Sequence, residues 1–338
     1  MTQAAAGVRD PAETSEGAPL LAIEKVSVRF TSRKGLLGRT LVRAVNDVSL
    51  TLRRGETVAV VGESGSGKTT LGRVSLGLVE PASGRVTFDG MPVTGRNEGQ
   101  RKWFRRRAQA VFQDPYSSIN AYMNVGQIVE EPLLVHGIGS REERMARVAQ
   151  ALQDVRLSPP EAFMGKYPHT LSGGQRQRVG IARALVMHPE YIVADEPVSM
   201  IDASSRAEIL YLMRDLQRHY GIAFLFITHD IASAAHFSNR IAVMYLGRIV
   251  EVGPPREVVS RPLHPYTRAL IEAVPEPDPA NRLRMRQVVP GEPPSPSSLP
   301  PGCAFHPRCP QAIKGACEGA VPELREIRPG HFAACYLY

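Results

Sequence analysis

Gly62-Glu63-Ser64-Gly65-Ser66-Gly67-Lys68-Thr69 places glycines, a lysine and a hydroxyl in the order of a phosphate-binding loop. Glycines let backbone N–H groups converge on phosphate oxygens at a helix N-terminus. Lys68 adds charge at the β and γ phosphates, and Thr69 can ligate magnesium. Thr70 belongs to the same nucleotide-binding set. The loop follows an apolar run and precedes a helical pattern, which separates it from a chance glycine-rich turn. A second acidic site ends another apolar run, Ile192-Val193-Ala194-Asp195-Glu196. Asp195 is aimed where magnesium would sit, and Glu196, one residue on, can polarise an attacking water as general base. An Asp-Glu pair capping a strand would look the same in isolation, but the loop upstream favours the chemical reading. Together these residues imply binding and hydrolysis of ATP with Mg2+.

Such residues need a sheet to aim them. Apolar and polar residues tend to alternate from Leu21 to Phe30 and from Val42 to Leu52, as in half-buried antiparallel strands, with a basic loop from Ser32 to Thr40 between them. Thr57 to Val61, Tyr191 to Ala194 and Ile222 to Ile227 are apolar runs of buried parallel strands separated by helical segments, which means an α/β sheet. From Pro115 to Leu171 the strand signals fade and Glu142 to Val155 has helical spacing, so an all-helical insert is expected. Residues 1–19 read as a mobile tail, and from Pro254 onward frequent Pro marks a loop-rich extension. The expected domains are 20–254, with a helical subdomain over about 115–175, and 255–338.

The 338 residues are 43% hydrophobic, enough to bury a core. No run approaches the roughly 18 apolar residues that cross a bilayer, and the N-terminus lacks a charged start before an apolar block. The chain is therefore expected to begin as a soluble cytoplasmic protein. A net charge of +8 fits nucleic acid, an acidic membrane, a phosphate-rich ligand or an ordinary basic protein, so it excludes none of them.

Leu171-Ser172-Gly173-Gly174-Gln175, followed by Arg176-Gln177-Arg178, resembles the signature of ABC ATPases. Ser172 and the two glycines open a helix whose amides can bind phosphate. The resemblance implies that this helix faces the γ-phosphate held by a partner, so hydrolysis needs two subunits. Gln113 resembles the Q-loop glutamine that approaches magnesium, His229 the switch histidine, and Asp202 the D-loop aspartate. Around Asp202 this chain has Ser199-Met200-Ile201, where the family more often shows Ser-Ala-Leu. Phe30 is either an aromatic that stacks on adenine or an ordinary strand-end residue. The implied fold is a P-loop ABC ATPase core of α/β class, a mixed sheet with an antiparallel β subdomain, a helical insert and a C-terminal extension.

Over residues 20–338 the chain is similar to the ATP-binding subunits of bacterial dipeptide, oligopeptide and nickel importers. Three stretches carry this: Tyr167-Pro168-His169-Thr170, His264-Pro265-Tyr266-Thr267 with Arg268-Ala269-Leu270, and Pro301-Gly302-Cys303-Ala304-Phe305-His306-Pro307-Arg308-Cys309-Pro310. The resemblance implies a peripheral protein on the cytoplasmic face of the membrane, beneath two transmembrane permease subunits fed by an extracytoplasmic substrate-binding protein. The second ATPase is expected to be a related chain, giving a heterodimer, with a homodimer as the alternative. Peptide is the expected cargo; nickel chelates and sugars are the alternatives. A non-transport ABC ATPase acting on DNA or ribosomes is the rival class. One core and a short insert disfavour it, and no nucleic-acid partner is expected.

Cys303, Cys309, Cys317 and Cys335 have five, seven and seventeen intervening residues, unlike the Cys-x-x-Cys pairs of zinc ribbons. The resemblance implies a [4Fe–4S] cluster here; four unligated, partly buried thiols are the alternative. The run Arg101-Lys102-Trp103-Phe104-Arg105-Arg106-Arg107 mixes cations with aromatics, and is expected to be a solvated helix rather than a nucleic-acid site. It could also touch acidic lipid.

Overall fold

The structure is a computed structural model, and it describes residues 18–34, 38–95, 97–274 and 291–338. The expected N-terminal tail therefore lies almost wholly outside the described residues. Strands β1 (Leu21–Lys34) and β2 (Gly38–Leu52) form an antiparallel pair, with Leu21 opposite Leu52 and Phe30 opposite Val42. The expected basic loop is shorter than its charge implied, because Ser32 still pairs with Thr40 and Lys34 with Gly38. Pairing is a property of the backbone, so charge alone did not mark where it stops. Next come β3 (Thr57–Val61), helix α1 (Lys68–Ser75), and the strands β4 (Ser83–Phe88) and β5 (Met91–Pro92). These strands make an antiparallel sheet in the order β2-β1-β4-β5.

Helix α2 (Glu98–Arg107) carries the basic run, and β6 (Ala108–Val111) follows it directly. Solvated describes only part of this helix, where Lys102 and Arg106 are exposed. The Arg101 side chain is buried, donating to the carbonyls of Gly77 and Val93 and pairing with Glu80. Arg107 lies 4.9 Å from the centre of the Phe88 ring and pairs with Asp89 and Glu190. These two cations pin α2 to the segments around it, while Arg105 pairs with Glu98 of its own helix and Arg106 donates to the His136 carbonyl.

Between β6 and β7 (Tyr191–Asp195) the ordered elements are helical: α3 (Val125–His136), α4 (Arg141–Asp154), the single turn α5 (Glu161–Met164) and α6 (Gly173–Leu185). Helices α3, α4 and α6 pack on one another. Asn124, Ser140 and Ser172 each open a helix with a reciprocal capping box closed by Gln127, Glu143 and Gln175. Then follow α7 (Ala203–Tyr220), β8 (Ala223–Thr228), α8 (Ile231–Phe237), β9 (Arg240–Tyr245) and β10 (Arg248–Gly253).

The main sheet has the order β11-β12-β10-β9-β3-β8-β7-β6, parallel from β9 through β6. Its strands bury both faces. Val58 and Val60 join Leu225 and Ile227 in the core shared with the antiparallel sheet, while Ala59 and Val61 join Phe224 and Phe226 in the core beneath the helices. The continuous apolar runs in the sequence are the consequence.

The extension beyond Gly253 is more regular than its proline content implied. It holds α9 (Pro255–Ser260), α10 (Pro265–Glu272), α11 (Ala316–Gly319), β11 (Arg325–Arg328) and β12 (His331–Ala333). Strand β12 pairs with β10 through Glu251 and Val252, so the extension adds to the main sheet. Strands of three and four residues are too short to display alternation in a sequence. The joint is fastened by Glu251, fully buried, whose carboxylate accepts from His331 Nε2 at 2.8 Å and from the amides of Leu263 at 3.0 Å and His264 at 2.8 Å. Removing that acceptor strands three buried donors. Glu251→Ala is expected to lower the stability of this joint by about 3–5 kcal/mol. Chemical denaturation will read the loss, and limited proteolysis should open the chain after Gly253.

Candidate functional site

The site lies at the carboxyl ends of β3, β7 and β8, where open α/β sheets leave room for ligands. Strand β3 runs straight into the loop 62–67, and α1 starts at Lys68. Gly67 has φ +101°, and a Cβ on it would stand 2.1 Å from the Ala44 carbonyl. Only glycine fits that turn, which leaves the helix N-terminus open to an anion.

The Lys68 ammonium is buried and donates to the carbonyls of Gly62 at 2.8 Å and Glu63 at 2.9 Å, with Ser66 Oγ at 3.5 Å. Burial lowers its pKa, and the negative charges of Glu196, Asp195 and Glu63 oppose that fall. The Thr69 hydroxyl donates to Asp195 Oδ1 at 3.1 Å. Burial holds the Asp195 carboxyl above its usual range, offset by the Thr69 bond and raised further by Glu196. A hydroxyl and a half-buried carboxylate in contact, beside the glycine-loop amides, form a donor set that fits Mg2+.

Glu196 follows at the tip of β7 with φ +45°, a left-handed conformation that costs a non-glycine residue about 1–2 kcal/mol. Its amide donates to the Ile227 carbonyl at 2.8 Å, and its own carbonyl accepts from Ser199 N at 3.2 Å and Ser199 Oγ at 3.1 Å. These bonds hold the strained turn and aim the carboxylate outward. Glu196 Oε2 meets Gln113 Nε2 at 3.3 Å and His229 Nδ1 at 3.2 Å. Residues that lie far apart in sequence thus share one carboxylate oxygen.

A cleft of about 560 Å³ is lined by Ser64, Gly65, Gly67, Lys68, Thr69 and Thr70 together with Gln113, Glu196 and His229. Val42, Ala44 and Pro296 line it too. Pro296 had no signal beyond its place in a proline run; its carbonyl accepts from Arg43 N at 3.2 Å. Phe30 is 44% exposed and pairs with Val42 across the hairpin, but is not itself a wall of the cleft.

The signature residues are also outside this cleft. Ser172 caps α6, its hydroxyl accepting from Gln175 N at 3.2 Å, while Gln175 Oε1 accepts from Ser172 N at 3.0 Å. Gly173 and Gly174 form the first turn. Asp202 caps α7, and hydrogen bonds from Ser204 and Ser205 hold its carboxyl below the usual range. One chain therefore carries two anion-receptive helix starts, only one of which faces the cleft.

The four cysteines converge within the extension. The amide of Cys303 donates to the Cys317 carbonyl at 2.9 Å, and the Cys317 thiol accepts from Ile313 N at 3.3 Å. Burial pushes the Cys303 thiol up to about 11, with Cys317, Cys335 and Cys309 adding to the rise. Burial also raises Cys309 and Cys335. Among the described residues, no three His, Cys, Asp or Glu side chains stand close enough to hold one metal ion.

Gly65 offers a contrast with Gly67: its φ is +79°, but a Cβ there meets nothing within 4 Å. Gly67→Ala is expected to cost about 2–5 kcal/mol of stability through strain and backbone overlap. Gly65→Ala should cost only about 1–2 kcal/mol and act mainly on nucleotide affinity. Thermal unfolding of both variants, with and without Mg·ATP, separates the two effects.

Comparison with known proteins agrees with this geometry. Residues 45–199 match the family described as ABC transporter, and residues 250–317 that described as oligopeptide/dipeptide transporter, C-terminal region. A peptide import ATP-binding protein of Brucella ovis is 47% identical over 317 residues, spanning 94% of this chain and 97% of its own. The oligopeptide transport ATP-binding protein AppF of Bacillus subtilis is 44% identical over 323 residues, with 94% and 97% covered. Among solved structures, the dimeric ATP-binding cassette MJ0796 in a post-hydrolysis state bound to ADP and Pi is 30% identical. It covers 70% of this chain and 99% of its own, with a TM-score of 0.61. Another, cbiO1 from Clostridium perfringens, part of the ABC transporter complex cbiONQ, is 31% identical, covers 72% and 91%, and has a TM-score of 0.62. The chain belongs to the ABC transporter ATP-binding proteins, in the branch that carries the oligopeptide/dipeptide transporter C-terminal region.

Proposed function

We propose that this chain hydrolyses ATP to drive peptide import, working at the cytoplasmic face of the membrane as half of a paired ATPase beneath two permease subunits. The observation that carries the reading is the convergence of Lys68, Thr69, Glu196, Gln113 and His229 on one cleft, with Asp195 bonded to Thr69 at its edge. Peptide as cargo rests on the relatives named as peptide or oligopeptide import ATP-binding proteins. A related second ATPase remains our preferred partner over a second copy, and a substrate-binding protein is expected on the opposite side. No described helix is long and apolar enough to cross a membrane, so contact with the membrane would pass through the permeases. An apolar groove lined by Leu78, Phe112 and Val135, three exposed side chains between the sheet and the helical insert, offers them a docking surface.

In this reading the loop amides and Lys68 hold the β and γ phosphates, and Thr69 and Asp195 hold Mg2+, with Gln113 beside them. The metal supplies neutralisation of charge on the phosphates. Glu196 orients the attacking water and accepts its proton, and His229 steadies the carboxylate through Oε2. The Ser172 helix start serves the γ-phosphate in the partner's cleft. Phe30 and Val42 border the adenine, and Asp202 lies at the joint between the two chains. The domain boundaries proposed are 20–254 for the ATPase and 255–338 for the extension.

Glu196→Gln is expected to leave Mg·ATP binding intact and to cut turnover by about two to four orders of magnitude. Detergent extraction of the tagged chain should bring down two polytopic permeases. Recovery of ribosomes or DNA-repair factors instead would sink the transport reading while sparing the ATPase.

We further propose a [4Fe–4S] cluster on Cys303, Cys309, Cys317 and Cys335. Four neighbouring thiols, with the ionisation of Cys303, Cys309 and Cys335 suppressed mainly by burial, fit a cationic iron core, which spaces its ligands more widely than a single ion does. Anaerobically purified protein should contain iron and acid-labile sulfide in equal amounts. In metal-free protein, Cys303 should resist alkylation near neutral pH, with the rate rising about tenfold per pH unit until about 11. Alkylation as fast as that of a free thiol at neutral pH would contradict the suppressed ionisation.

A further inference from the structure

The phosphate loop is gripped from behind by the C-terminal extension. The Glu63 amide donates to the Tyr266 hydroxyl at 2.9 Å. The Glu63 carboxylate lies 3.4 Å from Arg308 Nη1, which also reaches the Tyr245 hydroxyl at 3.4 Å. The Glu63 carbonyl accepts from Lys68 Nζ at 2.9 Å. One loop residue is thus fixed at its amide, its carbonyl and its side chain, and two of those three holds come from more than 200 residues downstream.

The holds are rigidly supplied. Tyr266 is 1% exposed and sits in the first turn of α10, which Pro265 opens. The turn is capped by His264, whose Nδ1 accepts from Tyr266 N at 3.0 Å. Burial pushes His264 down to about 3, so it is a neutral acceptor at any ordinary pH. The Tyr266 ring packs against Tyr245 at 4.5 Å and Phe305 at 5.4 Å between centroids. Arg308 ends a short 3₁₀ turn, His306–Arg308, held between two of the cysteines. His306 N donates to the Cys303 carbonyl at 3.0 Å, and Cys309 N to the His306 carbonyl at 3.2 Å.

Peptide planarity makes this grip matter to a ligand. With the Glu63 carbonyl held by Lys68, the plane of the Glu63–Ser64 peptide is fixed as well, and Ser64 is a wall of the cleft. A loop residue already fixed at three points need not be ordered when nucleotide arrives. We propose that Tyr266 and Arg308 are positioning residues for nucleotide binding, acting through Glu63 to preset the phosphate loop. The proposal rests on the cleft being the nucleotide site. It predicts an effect on affinity and little on chemistry, because neither side chain reaches Thr69, Asp195 or Glu196.

The test is calorimetric titration of the full-length chain with Mg2+ and a non-hydrolysable ATP analogue, with Lys68→Ala as the control. Tyr266→Phe keeps the ring and deletes the acceptor; it should weaken binding about threefold to tenfold. In the assembled transporter the same variant should raise KM for ATP by a similar factor, with kcat within about twofold of the parent. Arg308→Met should weaken binding comparably, and Arg308→Lys, which restores a charged donor, should recover most of it. Parent-like affinity in Tyr266→Phe and Arg308→Met, with Lys68→Ala unable to bind, would overturn the proposal and leave the site intact. So would a fall in melting temperature with no change in KM. Parent-like binding by Lys68→Ala would instead overturn the reading of the cleft itself.

Discussion

A lysine ammonium held out of water beneath a glycine loop is the constraint around which the molecule is organised. Desolvating that charge is unfavourable, and the carbonyls of Gly62 and Glu63 with the carboxylates of Asp195 and Glu196 offset it. Those partners can reach Lys68 only if β3 and β7 end at the same level of one parallel sheet, and β8 lies between them in hydrogen-bonded register. The apolar strands, the two cores and the sharp turn at Gly67 follow from that requirement.

In the proposed function the same arrangement leaves the chain to be completed by a partner. Parallel strands deliver Lys68, Asp195, Glu196 and His229 to one edge, whereas α6 belongs to the helical insert and presents Ser172 elsewhere. In the functional account, a partner brings its own Ser172-type helix start to this cleft and borrows this chain's in return. Gln113 stands where the insert leaves the sheet and touches Glu196. It is therefore the residue through which a movement of the insert would reach the Glu196 carboxylate.

Much of this was legible in the sequence. The loop, the acidic strand end, the buried strands and the helical insert are dense local patterns, and each carries its own physical meaning. What was hidden depends on distance. That Arg101 and Arg107 are structural follows only from where Glu80, Asp89 and Glu190 come to rest, so the run looked like a solvated face. The left-handed turn at Glu196 has no composition signal, because Ser199 and Ile227 supply the bonds that hold it. Strands β11 and β12 were lost in a proline-rich stretch, Pro296 gave no sign of lining the cleft, and Tyr266 none of reaching the phosphate loop.

The claim that two chains build each ATP site is tested most directly with Ser172→Arg, which blocks the start of α6 without touching the cleft. The account predicts that this chain still binds Mg·ATP with parental affinity while the assembled transporter loses turnover. Loss of nucleotide binding by the variant chain alone would contradict it, since Ser172 would then serve its own chain's cleft. Undiminished turnover would contradict it equally, because no partner phosphate would need that helix.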